Sequence, residues 1–546
     1  MKAFSLFVFF WAGLVFAGSP AWAVRPEPLP VNPEYLDYWG KTEAGERPEG
    51  LMPSPIDWNL VRGRRKGSGA LRRADAPQPA SYDLVASGAT PPILNQRNWG
   101  TCWAFATIEA IESGLRFADK NNTTEFSELH LAYYTYVEEK TAGGVNPAFE
   151  RSSLPPDYNP IFDQGGTADR AIAVLSCGTG PLEEKYAPYP ADLSSWATYV
   201  PNPAPPTGPV NFRLKNAYYF WDDPEEVKGA LMEYGGLAFG FGVYDDTMDN
   251  ESGAVYTPDI RDPNHAVLLV GWDDSYPKEK FKTPPRNDGA WKVQNSWGTD
   301  AGEDGYYWIS YEDKTIFGDE YALSAAFEMV PAVTGEKIYF HDPLGMSLIL
   351  PITENRSTTV ANAFIAERDE KIVTVGFSTV EDNLDYEVRI YRNIPAGQAP
   401  DAGAPSGSAV RCTVKNGGGY VTVDLNAPVT VGKGERFAVA VTFIAPEESA
   451  RALIPLENNS VPGYGNATQC EGESYLLEDG EWYDVNLDQD IQVGSFCVKA
   501  LTIPDGDGGS ENDSGGGCAT GASSLMLLVL AATAVFVIGK AARGRA

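Results

Sequence analysis

An α+β domain followed by an all-β sandwich is the fold that these 546 residues predict, and three observations carry the prediction. Apolar residues recur at helical spacing in several segments between residue 102 and about 235. Strand-like runs then follow up to about residue 330. From residue 336 to 502 the apolar runs alternate with period two and are separated by Gly, Pro and Asn turns, as in a β-sandwich. Single cores stop growing at roughly 250–300 residues, so two folded domains are expected. A composition of 43% hydrophobic and 12% aromatic residues excludes a disordered chain. A formal charge of −32 excludes nucleic acid as a partner, because phosphate backbones are held by clustered Lys and Arg.

The elements follow in order. Residues 1–23, ending in Ala21-Trp22-Ala23, carry one lysine, an apolar run and a small-x-small site, the pattern of a signal peptide, and the protein is expected to be exported. Residues 24–78 are rich in Pro and charge and hold the basic run from Arg62 to Arg73, which reads as a propeptide or a flexible, protease-accessible linker. A domain over 79–330 opens with a helix starting at Cys102. Thr101 is its expected cap, and Phe105, Ile108, Ile111 and Leu115 form its core-facing stripe. Ser127 caps a second helix, a third runs through "TADRAIAVLSCG", and a fourth through "DPEEVKGALMEYGG". The strands "LAFGFGVY", "HAVLLVGW", "GAWKVQNSW" and "GYYWISY" complete the domain. In the sandwich, residues 336–502, the clearest strands are "KIVTVGFSTV", "DYEVRIYRNI", "GYVTVDL", "RFAVAVTFI" and "FCVKALTI".

Residues 503–522 are an acidic, Gly-rich linker containing Cys518, 523–539 an apolar segment near the length of a membrane span, and 540–546 a basic tail. This order resembles the CTERM class of bacterial surface-sorting signals. That likeness implies a sorting peptidase as partner and a cell-surface protein anchored in the membrane at least transiently; an ordinary C-terminal anchor would also put the protein outside. Six cysteines are too few for a disulfide scaffold, and at most one bridge is expected among Cys412, Cys470 and Cys497.

Cys102 lies in "LNQRNWGTCWAFA", where it is either a buried helix-start thiol or a nucleophile. A nucleophile needs a base, and the chain has three histidines. His130 sits mid-helix, where packing is the plainer role, and His341 stands at the entry to the second domain. His265 begins a strand after an irregular acidic segment, where a loop can present a ring to a cleft. Asn295, thirty residues on, can accept from one imidazole nitrogen and leave the other for sulfur, and Trp297 could roof that bond.

These blocks together, "NQRNWGTCWAFA", "NHAVLLVGW" and "VQNSWGTDAGEDGYYWI", resemble the papain-like cysteine peptidases over about residues 81–330. The resemblance implies a papain-like fold of helical and β-rich subdomains. It also implies an endopeptidase of polypeptide substrates that needs no cofactor, with Cys102 as nucleophile, His265 as base and later acid, Asn295 as orienter and Gln96 as oxyanion-hole side chain. Gly165 and Gly166 match the glycine pair on the wall of the substrate cleft, and Trp297 joins them at the substrate site. Two departures stand out. Trp99 occupies the place of a family cysteine that forms a disulfide, and residues 24–78 are shorter than the usual inhibitory propeptide and lack its long helical pattern.

Residues 336–502 resemble, more weakly, the lectin-like domain that follows a papain-like domain in bacterial cell-surface proteases. That likeness implies contact with cell-surface glycan or the envelope. Glu478, Asp479, Glu481 and Asp484 offer oxygen ligands for a structural calcium ion, against the plainer reading of a solvated acidic loop. The main alternative function is a surface glycan-binding protein on a catalytically inactive papain-like scaffold. A cysteine hydrolase of peptidoglycan is a third reading, in which the Gln, Asn-Ser-Trp and Gly-Gly blocks would not be expected.

Overall fold

The helix Cys102–Ala118 is buried on every side from Cys102 to Ser113, so the predicted stripe is one face of a core helix. It lies against the strands Leu237–Phe241, His265–Asp273 and Ser324–Pro331. Ser127 caps the helix Glu128–Tyr136 by accepting from the His130 N–H at 3.0 Å. Thr167 caps Ala168–Ser176 in the same way, from the Arg170 N–H at 3.2 Å. Thr101 differs from expectation: its hydroxyl bonds to the Tyr189 hydroxyl at 2.8 Å, and no side chain caps that helix.

The computed structural model describes residues 27–506 apart from 47–49, 66–77, 142–143, 152–153, 155–157, 160, 191–205, 221–222, 250–251, 318–323, 352–356, 382–383, 415–417, 445–451 and 488–492. The expected signal peptide, the basic run from residue 66 onward, Cys518, the apolar segment 523–539 and the basic tail lie outside the described residues. Among those described, no helix is long and apolar enough to cross a membrane.

The strands Leu237–Phe241, His265–Asp273, Ala290–Gln294 and Tyr306–Ser310 pair antiparallel in that order. Two further strands, Phe212–Phe220 and Ser324–Pro331, were not legible in the sequence and extend this sheet on its other side. Phe212–Phe220 then pairs with Gly419–Val431 through Ala217↔Tyr420 and Tyr218↔Gly419. A single sheet of thirteen strands therefore runs from the first half of the chain into the second.

The second half places this sheet's Glu370–Thr379 strand over a separate six-stranded sheet. Phe377 from the first layer packs 4.9 Å from Tyr386 and 6.2 Å from Phe443 of the second, closing an apolar interior. "FCVKALTI" is two strands, Ser495–Phe496 and Val498–Pro504, interrupted at Cys497. Cys412, Cys470 and Cys497 are all free, so none of the possible bridges among them is formed. No acidic cluster able to hold a metal is found there either. Glu478 and Glu481 instead face each other across the hairpin of Ser474–Glu478 and Glu481–Asp484.

The described part of residues 24–78 holds more regular structure than a linker. Asn32 caps the helix Pro33–Glu43, and a second helix, Trp58–Arg65, takes up the start of the basic run. Tyr35, Trp39, Ile56 and Trp58 are buried. Period-3.6 patterning was hard to read because the helices are only 11 and 8 residues long, and prolines separate them.

Candidate active site

Cys102 stands on the first turn of its helix with 1% of its surface exposed. The positive end of the helix lies beside it. His265 opens its strand and is also buried. Its Nε2 is 2.8 Å from Asn295 Oδ1, which fixes the ring and leaves Nδ1 as the nitrogen available to sulfur. Asn295 Oδ1 also accepts from the Ser296 N–H at 2.8 Å, so the orienter is itself oriented. The Trp297 indole stacks on His265 at 4.8 Å and 30°, covering the imidazole–amide bond as expected of a roof. Burial pushes the His265 imidazole down to about 4, against the opposing effect of the Asn295 bond.

Gln96 is tied to the same block. Its Oε1 accepts from the Ser296 hydroxyl at 2.6 Å, and its Nε2 donates to the Trp99 carbonyl at 2.8 Å. Its backbone N–H also donates to the Ser296 carbonyl at 2.8 Å. One Nε2 hydrogen remains for an oxyanion. Ser296 is the residue that sequence reasoning missed; its position within the Asn-Ser-Trp block was the available signal.

Trp99 now has a physical account. It stacks on Phe162 at 4.7 Å and 25°, and meets Tyr189 edge-on at 5.6 Å. Tyr189 donates to the Gln96 carbonyl at 2.8 Å, and the Gly100 N–H donates to Asp163 Oδ1 at 3.0 Å. Aromatic packing and hydrogen bonds thus join the nucleophile loop to the segment before Gly165. His130 is in the first turn of its helix rather than its middle, packed 4.7 Å from Tyr134. His341 stacks on Phe364 at 4.7 Å. Neither joins the Cys102 site.

Gly165 and Gly166, the pair expected on the cleft wall, lie across residues 50–52 from Asn264. Gly165 has φ +73°, and a Cβ on Gly166 would come within 2.3 Å of the Trp103 indole, so close packing already requires glycine there. Backbone from residues 50–52 lies along this wall. The Gly166 N–H donates to the Gly50 carbonyl at 3.1 Å, and the Met52 N–H to the Gly166 carbonyl at 3.0 Å, a parallel pairing centred on Leu51. The Leu51 N–H reaches the Asn264 carbonyl at 3.3 Å, next to His265. A Cβ on Gly50 would lie 2.6 Å from Cys102 Sγ.

Residues 78–154 and 158–326 match the family "Papain family cysteine protease", and residues 338–502 match "Lectin like domain". The chain has a papain-like cysteine protease domain followed by a lectin-like domain. The protease domain is 29% identical over 247 residues to mouse Pro-cathepsin H and 28% over 241 residues to Cysteine proteinase 1 of Zea mays. These matches cover 43% and 42% of this chain, and the chain spans 62% and 56% of those two proteins. The crystal structure of the cysteine protease and lectin-like domains of Cwp84, a surface layer associated protein of Clostridium difficile, covers both halves. It matches with a TM-score of 0.71 and 25% identity, over 88% of this chain and 98% of that one. Clostridial Cwp84 after propeptide cleavage matches with a TM-score of 0.67 and 27% identity, over 78% of this chain and 99% of that one.

Proposed function

We propose that this protein is a cell-surface cysteine endopeptidase made as a zymogen, in which Cys102 attacks the substrate carbonyl. The observation that carries the reading is the His265 Nε2–Asn295 Oδ1 bond of 2.8 Å under Trp297, with Cys102 at a helix N-terminus. His265 takes the thiol proton through Nδ1, and the thiolate adds to the peptide carbonyl. The remaining Gln96 Nε2 hydrogen and the Cys102 main-chain N–H stabilise the oxyanion. His265 then protonates the leaving amine, and finally deprotonates the water that releases the acyl group.

The blocking segment is supported by Gly50 against Cys102 Sγ and by the backbone pairing of Gly50 and Met52 with Gly166. The parallel sense of that pairing holds the chain on the cleft wall. Burial pushes the His265 imidazole down to about 4, so it stands neutral near pH 7 and able to accept the thiol proton. Likeness to a surface layer associated protease supports the cell surface as its site of action, and the lectin-like half supports contact with surface glycan.

The test is incubation of purified protein, before and after removal of residues 24–78, with an unstructured protein, with cell-wall material and with a thiol-blocking epoxide. Epoxide-sensitive proteolysis only after removal is expected. Glycan binding without any hydrolysis would overturn it in favour of an inactive scaffold, and cell-wall hydrolysis alone would indicate a peptidoglycan hydrolase. N-terminal sequencing of the active form checks processing, because an active chain still starting at Val24 would refute it.

A further inference from the structure

Arg170 stands one hydrogen bond behind the substrate wall and is almost fully buried, at 2% exposure. Its Nη1 donates to Tyr136 Oη at 2.7 Å, and Tyr136 in turn donates to the Gly165 carbonyl at 2.5 Å. The guanidinium lies 4.4 Å from the Phe149 ring centroid. Among the described residues no carboxylate comes within ion-pairing distance of it. Buried guanidinium groups are ordinarily paired with an anion, and here neutral tyrosine hydroxyls stand in that place.

The remaining acceptor comes from the blocking segment. Arg170 Nη2 donates to Tyr35 Oη at 3.4 Å, and Tyr35 donates to the Pro462 carbonyl of the lectin-like domain at 2.6 Å. A Cβ on Gly463 would lie 2.6 Å from Trp39 and 3.0 Å from Arg170 Nη2, so segment, protease and lectin-like loop meet at this guanidinium. Beside Trp39 a cleft of about 680 Å³ is already open, lined by Tyr136, Phe149, Glu150 and Asn466 among others. Departure of Tyr35 and Trp39 joins that cleft to Arg170 and removes its weak neutral acceptor. Met52, next along the segment after the Gly166 contact, touches Tyr136 Oη through Sδ at 3.8 Å, so chain lying in the cleft reaches this corner.

We propose that, once residues 24–78 are removed, Arg170 with Tyr136 and Phe149 forms a subsite at the domain junction for a carboxylate side chain of the polypeptide substrate, next to the residue that lies at Gly166. This rests on the endopeptidase reading above. The Glu150 carboxylate sits on the rim, held by the Gly463 N–H at 3.2 Å, and is the internal competitor for the cation.

The experiment compares mature enzyme on paired peptides that differ only by Asp against Asn, or Glu against Gln, at each position on either side of the scissile bond. At one position the acidic peptide is expected to be cleaved with a kcat/KM about tenfold or more higher. In Arg170→Met, checked for folding by thermal melting and for its thiol by epoxide titration, that ratio falls towards one. Equal cleavage of all acid–amide pairs by unmutated enzyme overturns the subsite while leaving the endopeptidase reading intact. A preference that survives in Arg170→Met also overturns it. Failure to cleave any peptide, with the thiol titrating normally, overturns the endopeptidase reading itself. The acid–amide comparison on unmutated enzyme decides the matter even if Arg170→Met does not fold.

Discussion

Gln96 is useful to an oxyanion only if its amide cannot rotate, and Ser296 and Trp99 hold its two ends at 2.6 and 2.8 Å. Gln96→Ala is therefore expected to lower kcat by about 100- to 1000-fold, the usual effect of losing one oxyanion donor. Ser296→Ala keeps the donor but frees its orientation, and should cost about tenfold to a hundredfold in kcat with little change in KM. Steady-state kinetics on one peptide separates the two, and unchanged kcat in Ser296→Ala would remove Ser296 from the site. The residue scale is also where the sequence was most and least informative. That Cys102, His265 and Asn295 belong together was legible because a thiol, an imidazole and an amide able to orient it have few chemical substitutes, and the His265–Asn295 bond is present. The partners of Trp99 were not, because Phe162 and Tyr189 are brought to it by tertiary packing across 63 and 90 residues of chain. Phe162→Ala removes the stacking partner and should cost about 3–5 kcal/mol of stability, read from denaturant unfolding.

Two elements behave in ways that periodicity alone could not foretell. The first is the blocking segment, whose extended stretch 50–54 has neither helical nor strand alternation and takes its conformation from the cleft wall it pairs with. Because a Cβ at Gly50 would overlap Cys102 Sγ, Gly50→Ala should lift the segment. The unprocessed Gly50→Ala protein is then expected to react with a thiol-blocking epoxide at least about tenfold faster than the unmutated zymogen, a difference of roughly 1.4 kcal/mol in segment closure. The second is the core helix Cys102–Ala118, which carries Glu112 at 2% exposure. Burial pushes the Glu112 carboxyl up to about 8, while the Phe126 N–H bond and Arg116 oppose the shift. A folded-state value above the ordinary 4.5 means that the native state holds this proton while the unfolded state releases it. The group's contribution to stability is therefore complete below about pH 4.5 and is lost progressively as pH rises towards about 8. Glu112→Gln keeps an acceptor for Phe126 without an ionisable proton. It should stabilise the protein on the order of 1–3 kcal/mol at pH 8 and leave it nearly unchanged at pH 4.5, as measured by melting at the two pH values.

At the scale of the whole molecule, fold class was legible because binary patterning reports which face each element buries, yet patterning is silent on which strands become neighbours. The pairing of Tyr218 with Gly419 joins residues about 200 positions apart and fuses the sheets of the two domains. Further hydrogen bonds cross the same junction, among them the Leu29 N–H to the Ile349 carbonyl at 2.8 Å, Tyr35 to Pro462, Asn466 Nδ2 to the Ala148 carbonyl at 2.8 Å and the Glu150 N–H to the Gly463 carbonyl at 2.9 Å. The first two begin between residues 24 and 78, so the segment proposed to block the cleft also binds the lectin-like domain. Buried apolar surface continues without a break from Tyr35 and Trp39 through Phe149 to Tyr464, which meets Phe149 edge-on at 5.1 Å. Cooperative unfolding follows when elements share a core that neither half can bury alone. The zymogen is therefore expected to unfold in one calorimetric transition. Removal of residues 24–78 takes away Tyr35 and Trp39, leaving the sheet pairing and the Asn466–Ala148, Glu150–Gly463 and Asn216–Thr422 bonds at the junction. The mature protein should accordingly melt several degrees lower than the zymogen, and its transition should broaden or split as the lectin-like half gains independence. Two resolved transitions in the intact zymogen, or an unchanged melting temperature after cleavage with the segment physically released, would show that the segment does not couple the halves.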